Sequence, residues 1–185
     1  MANNKEVLNV QPHSVDAEQA VLGSMLTDKD AVNKAFEKKL SSEHFYKKSH
    51  SLIFAAMEIL DKKNEPIDTV SVVDVLTKNN DIEAVGGAFY ISGLVELVPT
   101  TAHVVRYIKI VMEKSILRNL IFLANDISKE AFDDSQDVDD ILESVQRSIF
   151  SITQDRLQKG FEKIDPVLHK TFEDIDRIAS HKGSV

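Results

Sequence analysis

TAHVVRYIKIVMEKSILRNLIFLANDISKEAFDDSQDVDDILESVQRSIFSIT, residues 101–153, decides the fold. Within it Val105, Ile108, Met112, Ile116, Leu120, Leu123, Ile127 and Ala131 recur every three or four positions, the spacing of one helical face. That predicts a helix of roughly 30 residues, about 45 Å long at 1.5 Å rise per residue. The polar run at 133–137 ends it, and Val138, Ile141, Leu142, Val145, Ile149 and Ile152 mark a second long helix. Two long amphipathic helices across a short turn form an antiparallel hairpin.

The first of these helices carries more apolar surface than a hairpin partner covers. Val104, Val111, Leu117, Ile121 and Ala124 make a second strip beside the main one. One reading buries both strips inside the chain. The favoured reading turns the surplus toward another subunit, because a single partner helix covers one side only. Val104, Val111, Leu117, Ile121, Leu142 and Ile149 are therefore the candidate oligomerisation residues.

Upstream, the helices shorten. Residues 1–13 have no periodicity and are expected to be a flexible tail. A helix opens at Ser14 with Asp16 and Glu18 in its first turn, where carboxylates meet the positive end of the helix dipole. Asp28 or Asp30 caps a second, and a third runs through Leu52, Ile53, Ala56, Met57 and Leu60. Ser71 and Asp74 have capping-box spacing and are expected to start a fourth. Gly86 and Gly87 turn into a short helix with Phe89, Ile91 and Leu94. Residues 14–100 thus read as a compact helical subdomain with its own core.

Downstream, 154–164 reads as a polar linker. Asp165 and Pro166 then open a last helix, since proline is tolerated at the first helical position. Its stripe is Leu168, Phe172, Ile175 and Ala179. A helix of about 16 residues is marginal alone in water, so this one is expected to dock in a groove. The fold class is all-α: a globule of short helices, a long antiparallel hairpin and a separate linker helix.

Composition narrows the function. The formal net charge is −8, which opposes a role as the main nucleic-acid surface. The pairs Lys38-Lys39 and Lys47-Lys48 read as solvated helix ends. Cysteine is absent, so neither disulfides nor thiolate metal sites can form. No stretch is long and apolar enough to span a membrane, and the first residues lack a secretory apolar core.

The six glycines cannot make a phosphate-binding loop, and no zinc-protease or nucleophile-elbow motif occurs. His13, His44, His50, His103, His169 and His181 stand singly and read as cap, surface or packing residues. The acids Asp133, Asp134, Asp137, Asp139 and Asp140 lack the spacing and glycine of a calcium loop. No catalytic, cofactor-binding or metal residue is therefore assigned.

Several ordered pieces carry a resemblance: PHSVDAEQAVLGSML (12–26), Phe45-Tyr46, His50 to Phe54, and Pro66 to Asp68. GGAFY (86–90), LVPT (97–100), Tyr107 and Arg118 to Ile121 follow in order. Together they resemble the N-terminal part of bacterial replicative DNA helicases of the DnaB family, over nearly the whole chain. Phe89 departs from the family, which has an aliphatic residue there.

The resemblance implies a cytoplasmic, ring-shaped hexameric helicase that unwinds DNA at the fork with ATP and Mg²⁺. Its motor would follow residue 185, and no cofactor would bind in the present segment. The hairpin would pair subunits within the ring, and the collar would receive primase. Residues 165–185 would be the linker helix docking on an adjacent motor domain. A helicase loader, and DNA through the motor, are further implied partners; a membrane is not. The competing readings are a helical DNA-binding regulator, which lacks a basic recognition helix, and a phage or plasmid paralogue with a different partner.

Overall fold

The computed structural model describes residues 10–157 apart from Pro99, Asp134 and Gln136. The expected linker helix, with Leu168, Phe172, Ile175 and Ala179, lies outside the described residues. Seven α-helices are described: α1 (Val15–Thr27), α2 (Lys29–Glu37), α3 (Lys48–Lys62), α4 (Thr69–Lys78), α5 (Gly87–Glu96), α6 (Val104–Ala131) and α7 (Val138–Leu157). A 3₁₀ turn, Ser42–His44, precedes α3. The chain divides into two compact units, the first ending at Ile121 and the second beginning at Phe122.

In the first unit α1 is the centre. Val21, Leu22 and Met25 have no exposed surface, and they share a core with Ile53, Phe54 and Met57 of α3. Ile91 and Leu94 of α5 complete it from the other side. The α1–α5 approach depends on Gly23. A Cβ there would collide with the Leu94 carbonyl oxygen and lie 2.7 Å from Val98 Cγ2.

Helix starts follow the sequence closely. Ser14 Oγ accepts from Ala17 N–H and opens α1. Asp28 closes α1 by donating its N–H to the Ser24 carbonyl, and opens α2 by accepting from Asp30 N–H. The start of α4 corrects the expectation. Asp68, not Ser71, is the cap: its carboxylate accepts from Ser71 N–H at 2.8 Å, so the helix begins at Thr69. An aspartate three residues before a serine served the same purpose one turn earlier.

Helix ends explain how the chain manages with six glycines. Lys39, Asn64 and Asn80 each take a positive φ just beyond a helix. The next residue's N–H then reaches back to a carbonyl of the last turn: Leu40 to Ala35, Glu65 to Leu60, Asp81 to Leu76. That is the reversal glycine usually makes, here made twice by asparagine, which tolerates it.

Three boundaries move. Gln154–Leu157 continue α7 instead of starting a linker, because polar residues without glycine or proline do not stop a helix. The first unit runs to Ile121, not to residue 100, because Val104, Ile108 and Val111 are buried in the globular core. And the tail is held at Pro12 and His13, as described below. In the second unit no described side chain is fully buried; Leu123, Ile127, Ile141, Val145 and Ile152 are half-buried.

Candidate functional site

The most connected group in the first unit is polar. Glu18 and His50 are 1% and 0% exposed. His50 Nδ1 lies 2.6 Å from Glu18 Oε2, and His50 Nε2 lies 2.7 Å from the Tyr90 hydroxyl. Gln19 Nε2 donates to the same hydroxyl at 3.3 Å. With the proton on Nδ1, the imidazole donates to the carboxylate and accepts from the phenol, and every partner is satisfied. Acid, imidazole and hydroxyl in this order look like a nucleophile relay. Each member, however, is committed to holding elements together.

Glu18 illustrates this. Its Oε1 accepts from Tyr46 N–H at 2.7 Å and its Oε2 from Lys47 N–H at 3.3 Å. Lys47 is the N-cap of α3 and supplies no side-chain cap of its own. A carboxylate from α1 therefore holds the chain at Tyr46 and at the N-cap position, just as it enters α3. Lys47 and Lys48 are indeed at a helix end, with the Lys47 ammonium 5.5 Å from the centre of the Tyr90 ring.

Arg118 makes the second fastening. Its Nη1 donates to the Pro12 carbonyl at 2.9 Å and its Nη2 to the His44 carbonyl at 2.7 Å. The guanidinium also lies 5.8 Å from the Tyr46 ring, on which His13 stacks at 4.3 Å. Burial pulls the Arg118 pKa down, while Glu18 and then Tyr46 oppose the shift. Among the described residues, no buried side-chain N or O lacks a partner.

Sequence periodicity does not single these groups out. Glu18 is a first-turn acid as expected, and it also sits on the buried face of α1, three and four residues before Val21 and Leu22. Arg118 continues the buried line Val104, Ile108, Val111, Ser115 at helical spacing. A charged residue in phase with an apolar stripe was the available signal. The described histidines are packing, capping or surface residues, with His103 exposed. His50 is core, His13 stacks, and His44 Nδ1 accepts from Ser41 N–H at 2.9 Å.

The oligomerisation candidates separate into two groups. Val104 and Val111 are 1% and 2% exposed inside this chain's own core, which removes them from the set. Leu117 and Ile121 in the first unit are 45% and 41% exposed, and Leu142 and Ile149 in the second are 60% and 47% exposed. Phe122, Phe132, Val138 and Phe150 of the second unit are also exposed. Phe89 is 91% exposed on α5, so its size places no load on the core.

No three His, Asp or Glu side chains among the described residues are grouped to hold a metal ion. Around the acidic turn the carboxylates cap instead: Asp133 accepts from Ser135 and Asp137 from Asp139 N–H. No described helix is long and apolar enough to cross a membrane.

What the arrangement offers is a stapled first unit and a second unit whose described helices carry uncovered apolar side chains. The family model described as DnaB-like helicase N terminal domain matches residues 10–113. The replicative DNA helicase DnaC of Bacillus subtilis (strain 168) is 36% identical over 174 residues, 94% of this chain and 38% of that protein. The chain thus spans well under half the length of this relative.

Two solved structures agree. The crystal structure of the N-terminal domain of DnaB helicase from Mycobacterium tuberculosis superposes with a TM-score of 0.72 at 31% identity. It covers 77% of this chain and 99% of that one. A structure of a DnaB-like replicative helicase and its interactions with primase gives a TM-score of 0.64 at 25% identity, over 88% and 35%. The fastening residues Glu18, Tyr46, His50, Tyr90 and Arg118 all fall within or just beyond the matched span, and the chain belongs to the DnaB-like helicase N-terminal domain family.

Proposed function

We propose that this chain is the assembly and docking part of a replicative DNA helicase, a collar that pairs subunits and receives primase. The supporting observation is the contrast in burial. The first unit buries a shared apolar core, whereas the second has no fully buried described side chain and leaves Phe122, Phe132, Leu142, Ile149 and Phe150 about half or more exposed. Exposed aromatic and aliphatic side chains on a helical extension are what a subunit interface uses.

Leu117, Ile121, Leu142 and Ile149 are the proposed self-association residues, with pairs of subunits forming within a hexamer. The primase reading draws on the relative whose structure includes its interactions with primase. ATP and Mg²⁺ chemistry and DNA contact would belong to a motor segment of the full-length protein in a bacterial cytoplasm, with a helicase loader as a further partner. The segment 165–185 would be the linker helix, docking through Leu168, Phe172, Ile175 and Ala179.

Light scattering across protein concentration tests self-association, and calorimetric titration with a primase C-terminal fragment tests docking. A mass above the monomer together with a binding heat is expected. A monomer at high concentration with no primase heat removes the proposal. In the protein joined to its motor, Phe172→Ala or Ile175→Ala should weaken hexamer formation while residues 1–153 stay folded. Unfolding of the collar instead would place that helix inside its own domain.

A further inference from the structure

On the first unit, a cleft of about 650 Å³ opens between the start of α2 and the α3–α4 connection. That volume is within the range of sites that hold a ligand or a side chain. Its apolar surface comes from Leu26 and Val32, both nearly buried, and from Pro66 and half-buried Ile67. Four carboxylates, Asp28, Asp61, Glu65 and Asp68, line it against a single cation, Lys29.

These carboxylates are not equivalent. Asp28 accepts from Asp30 N–H and from the Thr101 hydroxyl, and Asp68 accepts from Ser71 N–H, so both are occupied by the fold. Asp61 and Glu65 are exposed and enter no ion pair among the described residues. Glu65 acts on the Lys78 ammonium only through its field, as the smallest cause of that group's raised pKa, and forms no contact ion pair with it. Both lie where α3 ends and its connection to α4 begins, a backbone fixed by the Glu65 N–H bond to the Leu60 carbonyl.

We propose that this cleft receives a basic peptide segment of a partner protein. An arginine or lysine stem lies over Val32 and Ile67, and its charge sits between Asp61 and Glu65. The chemistry fits because such side chains pair an apolar stem with a cationic head, the two properties this cleft offers together. An anionic ligand meets repulsion from the lining. A bare divalent ion lacks a grouped set of ligands among the described residues. The proposal does not rest on the helicase reading and concerns a surface separate from α7.

Tryptophan is absent from the chain, so a probe peptide can carry the only tryptophan signal. The probe is a capped pentapeptide alternating arginine and leucine with one tryptophan, titrated against the full chain. Tryptophan anisotropy should rise to saturation, weaken with added salt, and be absent when glutamate replaces arginine. Asp61→Asn with Glu65→Gln should reduce affinity at least about fivefold, consistent with two exposed ion pairs. Asn33→Arg, placing a cation on the lining, should reduce it similarly, and circular dichroism should show both variants folded.

Equal binding by the double variant, or equal binding of the glutamate peptide, overturns the proposal. Displacement of the peptide by millimolar Mg²⁺ at fixed ionic strength assigns the cleft to a cation and also overturns it. Loss of the peptide as protein concentration rises, in step with self-association, assigns the cleft to a second copy and does the same.

Discussion

The two ends of α6 obey one sequence rule and meet opposite fates. Up to Arg118 the helix buries Val104, Ile108, Val111 and Ser115. From Phe122 onward the apolar spacing continues, yet no described side chain is fully buried. Periodicity is the same on both sides of the division, so it cannot be what distinguishes them. The first half has polar fastenings that fix what it packs against, with Arg118 bonded to the Pro12 and His44 carbonyls. Amphipathic spacing says that a face wants cover, and buried charge says where cover has been found.

The comparison can be broken most decisively at Glu18. Glu18→Ala removes the partner of His50 and the acceptor for the Tyr46 and Lys47 N–H groups just ahead of α3. It should cost about 3–5 kcal/mol, since hydrogen bonds to a charged acceptor are worth about 1.5–3 kcal/mol each and three donors lose theirs. Urea unfolding followed by circular dichroism measures this, and a loss under about 1 kcal/mol would mean the relay is ornamental. Arg118→Ala comes next. Two charge-assisted bonds to the Pro12 and His44 carbonyls disappear, at about 1.5–3 kcal/mol. Faster proteolysis near residues 10–13 should accompany it; unchanged cleavage there would separate the tail from the latch.

In the second unit the same kind of experiment should return almost nothing. Leu142→Ser is expected to change stability by no more than about 0.5 kcal/mol. A large destabilisation of the dilute monomer would show that α7 is covered by its own chain. The smallest effect is confined to acid. Asp28 has its pKa lowered, first by the Thr101 hydroxyl and then by the Asp30 N–H. Its contribution is therefore present above the unfolded aspartate pKa and disappears as pH falls through the lower folded value. Asp28→Asn should flatten the acid limb of a Tm profile, whereas superimposable limbs would deny Asp28 any role there.

Much of this was legible before any coordinates. The long pair 101–153 announced itself through spacing, and Ser14 and Asp28 through cap chemistry. What escaped was any role defined by a distant partner. Glu18 satisfies a first-turn rule perfectly well on its own helix, and nothing nearby in sequence reveals that α3 needs it more. Val104 and Val111 satisfied an outward-strip reading equally well, until the globule claimed them. Local rules find the elements, while assignments that depend on which surfaces meet stay ambiguous until the surfaces are placed. Tyr46, His50, Tyr90 and Arg118 all lie in the stretches that carry the family resemblance, but their sequence separation hides that they converge.

The carboxylate lent by α1 to α3 crosses 28 to 32 positions of chain. During synthesis α1 leaves the ribosome first, so the acceptor is already waiting when Tyr46, Lys47 and His50 emerge. The reverse order, imposed by a circular permutation that places α1 last, would leave Tyr46, Lys47 and His50 without their acceptor for most of translation. Chain direction itself would then become a determinant of folding yield.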